Sequence, residues 1–173
     1  MIFRQEESRA SDRDWGSLMR EGVQAHSVSR FNDAHVCFAQ ARLVAEKSLD
    51  EAASQARRSG RTGPETLAEV EHFATAVAHL ALNGRCWGRF EITREALEGG
   101  LEQLTRLFED QRLAGTFRHF SQRHAQRLAQ QLACLLQHGG ASDPAMAEIL
   151  GPYLERLEPS TTAATMREGV RVH

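Results

Sequence analysis

The sequence predicts an all-α protein of six main helices, paired as three antiparallel hairpins stacked side by side. Three observations lead there. Leu, Ala and Arg are abundant while β-branched residues are sparse, a composition that suits helices. Apolar residues recur at steps of three and four along six stretches, which is the period of one helix face. One phrase also occurs twice in the same register: Glu21-Gly22, Arg30-Phe31-Asn32-Asp33-Ala34, Phe38 and Ala41, then Leu80-Ala81, Gly88-Arg89-Phe90-Glu91, Leu97 and Gly100. Small residues where two helices touch, a short turn and an aromatic opening the next helix form the pattern of helix–turn–helix repeats.

The elements follow in order. Ser11 and Asp14 form a capping-box pattern before a first helix over about 12–27, with Trp15, Leu18, Gly22 and Ala25 on one stripe. The second runs from Phe31 to about Arg57 on a stripe of Phe31, Ala34, Phe38, Ala41, Ala45, Leu49 and Ala52. Ser59 to Pro64 breaks the chain. Thr62 and Glu65 are expected to cap the third helix, with Pro64 in its first turn. That helix carries Leu67, Val70, Phe73, Val77 and Leu80 and reaches Cys86 or Trp87.

Gly88 turns the chain into a fourth helix over about 89–110, which buries Ile92, Ala96, Leu97, Leu101, Leu104 and Phe108. Gly99 and Gly100 inside it weaken it by roughly 1 kcal/mol each relative to Ala and permit close approach of another helix. The fifth, about 116–137, uses Phe117, Phe120, His124, Leu128, Leu132 and Leu135 and ends at Gly139-Gly140. Asp143 as N-cap and Pro144 in the first turn open a sixth, with Met146, Ile149, Leu150, Leu154 and Leu157 facing inward. Residues 1–11 read as a flexible start and 158–173 as a polar, disordered tail, leaving 12–157 as the folded domain.

Composition narrows the function classes. A chain of 173 residues with a formal net charge of −2 is long enough for a proper core, and its bulk charge favours neither nucleic acid nor a membrane surface. Lys47 is the lone lysine, so the positive charge is carried by Arg, which forks onto carboxylates. Cys37, Cys86 and Cys134 are widely spaced and odd in number, which suits small core residues in a reducing compartment rather than a disulfide frame. No apolar run approaches the roughly 18 residues that span a bilayer. The first residues are too acidic and polar for a signal peptide. These readings predict a cytoplasmic, bacterial protein.

The repeated phrase resembles the tetratricopeptide repeat. That family places a small residue late in its first helix, as Gly22 and Ala81 stand here. It has a Gly-Arg-Tyr-like turn, to which Ser29-Arg30-Phe31 and Gly88-Arg89-Phe90 are similar. Its second helix carries a small, a bulky and a small residue, matched by Ala34, Phe38 and Ala41, and more loosely by Thr93, Leu97 and Gly100. Leu132-Ala133, Gly140, Ala145 and Ile149 form a degenerate third copy, so the resemblance covers roughly 12–157. The chain departs from the family in spacing. Phe31 to Phe90 is 59 residues where the family repeats about every 34, so its helices are longer. A non-repeat helical bundle is the alternative.

The resemblance implies a short tetratricopeptide-like α-solenoid, a non-enzymatic adaptor that holds a protein or peptide in a concave groove lined by the first helix of each hairpin. Carrying the groove positions across gives Met19, Val23 and His26 from the first hairpin, then Thr75, Leu82 and Arg85 from the second. The third supplies Gln130, Cys134 and His138, with Arg127 at the edge. Such a groove would favour an acidic peptide that also carries apolar residues.

Chemistry of other kinds finds little support. His72 and His79 share a helix face, but Glu71 is the close carboxylate and no His-x-x-x-His occurs, so neither a metal site nor any cofactor is expected. Cys86, beside Arg85 and Trp87, is the most plausible reactive thiol. No Gly-rich phosphate loop is present. Between Gln111 and Ser142 there is no acidic residue, while Arg112, Arg118, Arg123 and Arg127 fall there. The helix before it carries Glu91, Glu95, Glu98, Glu102, Glu109 and Asp110. Pairing between these two neighbouring helices is one reading. The other is a regulatory module binding nucleic acid or another polyanion through an Arg118–Arg127 face. A third is a structural homodimer whose groove is filled by its partner.

Overall fold

A computed structural model describes residues 14–158, and these form six α-helices: α1 (Trp15–Ser27), α2 (Phe31–Ser59), α3 (Pro64–Cys86), α4 (Phe90–Glu109), α5 (Gly115–His138) and α6 (Asp143–Leu157). The expected flexible start 1–11 with Ser11 of the first capping box, and all of the expected 158–173 tail except Glu158, lie outside the described residues. Asp14 caps α1 by accepting a 2.7 Å hydrogen bond from the Ser17 amide, so the capping pair sits three residues later than Ser11 and Asp14. Gly63, not Thr62, precedes α3, and the Thr62 hydroxyl is buried without a partner. Ser142 precedes α6, which shifts Asp143 into its first turn.

Three of the connections share one geometry. Ser29 (φ 60°), Gly88 (φ 74°) and Gly140 (φ 77°) adopt the left-handed conformation after α1, α3 and α5. The next amide in each case, from Arg30, Arg89 or Ala141, reaches back to the carbonyl of Ala25, Gly84 or Leu136. The left-handed residue's own amide bonds His26, Arg85 or Gln137. This is the Schellman closure, which satisfies the last carbonyls of a helix while reversing the chain. Its recurrence makes α1–α2, α3–α4 and α5–α6 three equivalent hairpins.

Contacts between non-consecutive helices fix their directions. The Trp15 ring at the start of α1 stacks on His72 of α3 at 4.2 Å, and near the ends of both helices His26 bonds Asn83 at 2.9 Å, so α1 and α3 run parallel. On the other side Gln103 bonds Asp50 at 3.0 Å and Arg57 pairs with Asp110 at 2.7 Å, aligning α2 with α4. Consecutive helices pack against each other, and α3 also packs on α5 and α4 on α6.

The core is continuous and apolar, with Phe38, Phe73, Phe117, Leu18, Leu49, Leu101 and Leu132 among the fully buried side chains. Gly22 and Ala81 are both buried at helix contacts. Gly100 marks the tightest junction: a Cβ there would lie 2.7 Å from Val77 of α3 and 3.0 Å from Leu128 of α5. Gly99 is exposed and holds no such place. Some expected core positions lie elsewhere. On α2 the stripe ends on Ala53 and Ala56 rather than Ala52, and Leu154 of α6 stays 47% exposed. Cys86 and Cys134 are exposed and Cys37 half-buried, so the cysteines are not core residues.

The acidic side of α4 is neutralised from directions other than the one expected. Arg156 of α6 bonds Glu102 at 2.9 Å and Glu109 at 2.8 Å, Arg57 of α2 reaches Asp110, and Arg94 pairs with Glu98 within α4 itself. Only Arg112, in the α4–α5 connection, answers from the basic segment. Hydrogen bonds from Arg112 and Arg57 hold the Asp110 carboxyl well below the usual carboxylate range, and Arg156 lowers Glu109. A depressed folded-state pKa contributes stability above the unfolded value of about 4 and loses it as pH falls toward the folded value. The denaturation midpoint should therefore begin to drop below about pH 5 and keep dropping below about pH 3. Asp110→Ala should cost about 1 kcal/mol at pH 7 and flatten that acid limb in chemical denaturation.

Candidate binding cleft

The C-terminal halves of α3 and α5 form the walls of a cleft of about 780 Å³, and the first two turns of α4 form its floor. Its position follows from side-chain size along α4. At Gly100 the two walls close directly onto α4. One turn and more toward the start of α4 stand Leu97, Thr93 and Phe90, which occupy the space between the walls. Gly84 and Gly139 let Thr93 and Phe90 in: a Cβ on Gly84 would meet the Thr93 hydroxyl at 2.6 Å, and one on Gly139 the Phe90 ring at 2.8 Å.

Six of the ten groove residues expected from the sequence line this one cleft: Leu82 and Arg85 on α3, and Arg127, Gln130, Cys134 and His138 on α5. The other four do not. Met19 is a core residue at 7% exposure, so it cannot serve as groove floor. Val23 is exposed on α1, away from the cleft lining. His26 is half-buried, with Nδ1 2.9 Å from the Asn83 side-chain oxygen and its ring set edge-on to Phe31. Thr75 is half-buried on α3, one turn before the cleft begins. The groove positions thus converge in the second and third hairpins, and α1 contributes packing.

The cleft also holds residues the sequence reading assigned elsewhere. His79 lines α3's wall and packs 5.3 Å from Phe38, and burial, helped by nearby His26, lowers its pKa and keeps the ring neutral at pH 7. Leu82 at 39% and Phe90 at 37% exposure supply the open apolar surface, while Leu97 and Leu135, which also line the space, are buried beneath it. Leu97 and Leu135 were legible as helix-stripe residues and Phe90 as part of the repeated turn, but periodicity does not separate a stripe covered by a neighbour from one left open.

Charge in the cleft has one sign. Arg85 and Arg127 stand on opposite walls, both exposed and neither paired with a carboxylate, and no acidic residue lines the space among the described residues. Arg118 is different: it donates 2.8 Å to the Phe108 carbonyl and lies over the Phe108 ring, closing the end of α4. With Arg112 held on Asp110, the supposed Arg118–Arg127 face keeps only Arg123 and Arg127 uncommitted.

His72 and His79 do not act as a pair. His72 stacks on Trp15, and its near carboxylate is Glu69 at 3.5 Å, the Glu-x-x-His spacing, rather than Glu71. No group of three or more His, Cys, Asp or Glu is placed to hold a metal ion among the described residues, and no helix there is long and apolar enough to cross a membrane. Comparison of the chain with protein-family models, with curated proteins and with solved structures returned no match.

Proposed function

We propose that this protein is a non-enzymatic binding scaffold that holds a protein or peptide partner in the α3–α5 cleft. The observation that carries the reading is the cleft's make-up: exposed Leu82 and Phe90 between two unpaired arginines on opposing walls, with no acidic residue in the lining among the described residues. Such a surface leaves both hydrophobic area and positive charge unanswered among the described residues, the combination that a partner with acidic and apolar residues would answer. The recurrence of one hairpin turn at Ser29, Gly88 and Gly140 supports the tetratricopeptide-like reading of the scaffold, in which such stacked hairpins serve recognition.

Retention of partners from a cell extract by the immobilised chain tests the reading, with Leu82→Glu and Arg85→Glu chains as controls. At least one polypeptide should be retained by the wild type and lost by both variants. For a micromolar partner, about −8 kcal/mol, Arg85→Ala alone should weaken binding by about fivefold, roughly 1 kcal/mol, while leaving the denaturation midpoint unchanged. Identical retention by wild type and both variants would remove the cleft from the function. Light scattering over a range of protein concentrations separates this scaffold from a structural homodimer.

A further inference from the structure

We infer that the occupant of the α3–α5 cleft is an amphipathic α-helix whose apolar stripe is flanked on both sides by carboxylates, an inference that rests on the cleft being a binding site. The form of the ligand follows from the backbone of the walls. Both walls are helices, and their terminal carbonyls are already taken: Asn83, Gly84 and Arg85 accept from Trp87, Arg89 and Gly88, and Leu135, Leu136 and Gln137 accept from Gly139, Ala141 and Gly140. Even the Cys134 carbonyl is bonded by the His138 ring at 2.6 Å. An extended peptide laid between these walls would find no backbone ladder to join, and its polar groups facing Leu82 or Phe90 would be left unpaired. A helix arrives with its backbone already satisfied and presents only side chains.

Length and charge agree with this form. Arg127 to His138 spans three turns of α5, about 16 Å, so a helix lying along the cleft presents apolar residues at i, i+3 or i+4, i+7 and i+11 over the same distance. Arg85 rises from one wall and Arg127 from the other, so carboxylates on both edges of that stripe each meet a guanidinium. A helix edged with Lys or Arg would meet two like charges and no acid.

Selection from a library of random peptides of about 18 residues, five helical turns, tests this on the full chain, with counter-selection on a Leu82→Glu, Arg85→Glu double variant. Circular dichroism checks that the variant is folded, and Arg85→Ala and Arg127→Ala serve as milder single changes. The expected winners carry apolar residues with a period of three to four and Asp or Glu on both edges, gain helical signal on binding, and lose at least tenfold affinity when Pro replaces a central stripe residue. Arg85→Ala and Arg127→Ala should each weaken them severalfold. Winners that alternate apolar and acidic residues, or that tolerate the central Pro, would overturn the helical occupant while leaving the cleft as a peptide site. Lys-edged winners would overturn the charge assignment. If no peptide prefers the wild type over the double variant, the cleft reading itself falls, and the helical occupant with it.

Discussion

Gly22→Leu should destabilise the protein by about 1–3 kcal/mol, because it forces volume into a filled junction. A Cβ on Gly22 would lie 2.5 Å from Cε1 of Phe38 and 2.7 Å from Cδ1, and Phe38 is 1% exposed, with no free direction in which to retreat. The smaller change is the sharper test. Gly→Ala inside a helix ordinarily gains about 1 kcal/mol from propensity. Gly22→Ala should nevertheless lose stability, since its added methyl meets the ring. Gly99→Ala, on the exposed face of α4 with Arg42 Nη1 3.5 Å away, should gain it. Phe38→Ala should cost about 3–5 kcal/mol by leaving a cavity. Combined with Gly22→Leu it should cost less than the sum of the two, because the new side chain fills part of the space. Urea denaturation midpoints of the variants decide the matter; additive losses, or an unchanged midpoint in Gly22→Leu, would show that α1 does not depend on this contact.

Asn83→Leu should cost about 1–3 kcal/mol although it places an apolar residue in an apolar core. Asn83 has no exposed surface, and its amide is shared: Nδ2 donates to the Phe31 carbonyl at 2.9 Å, while Oδ1 meets His26 Nδ1 at the same distance. One α3 side chain therefore ties the end of α1 and the start of α2 to the second hairpin. Leucine matches the volume but strands the half-buried imidazole of His26 beside half-buried His79. The loss should appear as a lower midpoint together with faster amide exchange in α1 than in α5, because α1 is held by few neighbours other than α2 and α3. Asn83→Asp, which keeps an acceptor for His26 but loses the donor to Phe31, should fall between. Uniform exchange in Asn83→Leu would mean that the network stabilises the whole chain rather than the α1–α2 turn.

The six helices and their ends were legible because their causes are local. Period-three-and-four stripes, Pro64 and the left-handed turn residues Gly88 and Gly140 act within a few residues of where they stand, and the observed helix ends fall within a few residues of those expected. Small residues at Gly22, Ala81 and Gly100 were legible too, since close helix approach requires them. Caps were read less well, and Thr62 shows why: its neighbour Gly63 reaches the extended conformation before Pro64, so the hydroxyl is left out of the cap.

The sequence by itself determined an all-α chain of six helices with apolar faces, and where it turns. It could not determine which of those faces stays open. Met19 and Leu82 are both apolar residues on the first helix of a hairpin, yet the core covers one while the space beside α4 leaves the other exposed. Arg118 and Arg127 belong to the same basic stretch, but only the folded chain brings the Phe108 carbonyl to one and leaves the other at the rim of the cleft. Arg156 reaches Glu102 and Glu109 from more than 40 residues away in sequence. Periodicity records that a helix has an apolar face; which neighbour covers that face, and which charge finds an internal partner, depends on side chains distant in sequence that only packing brings together.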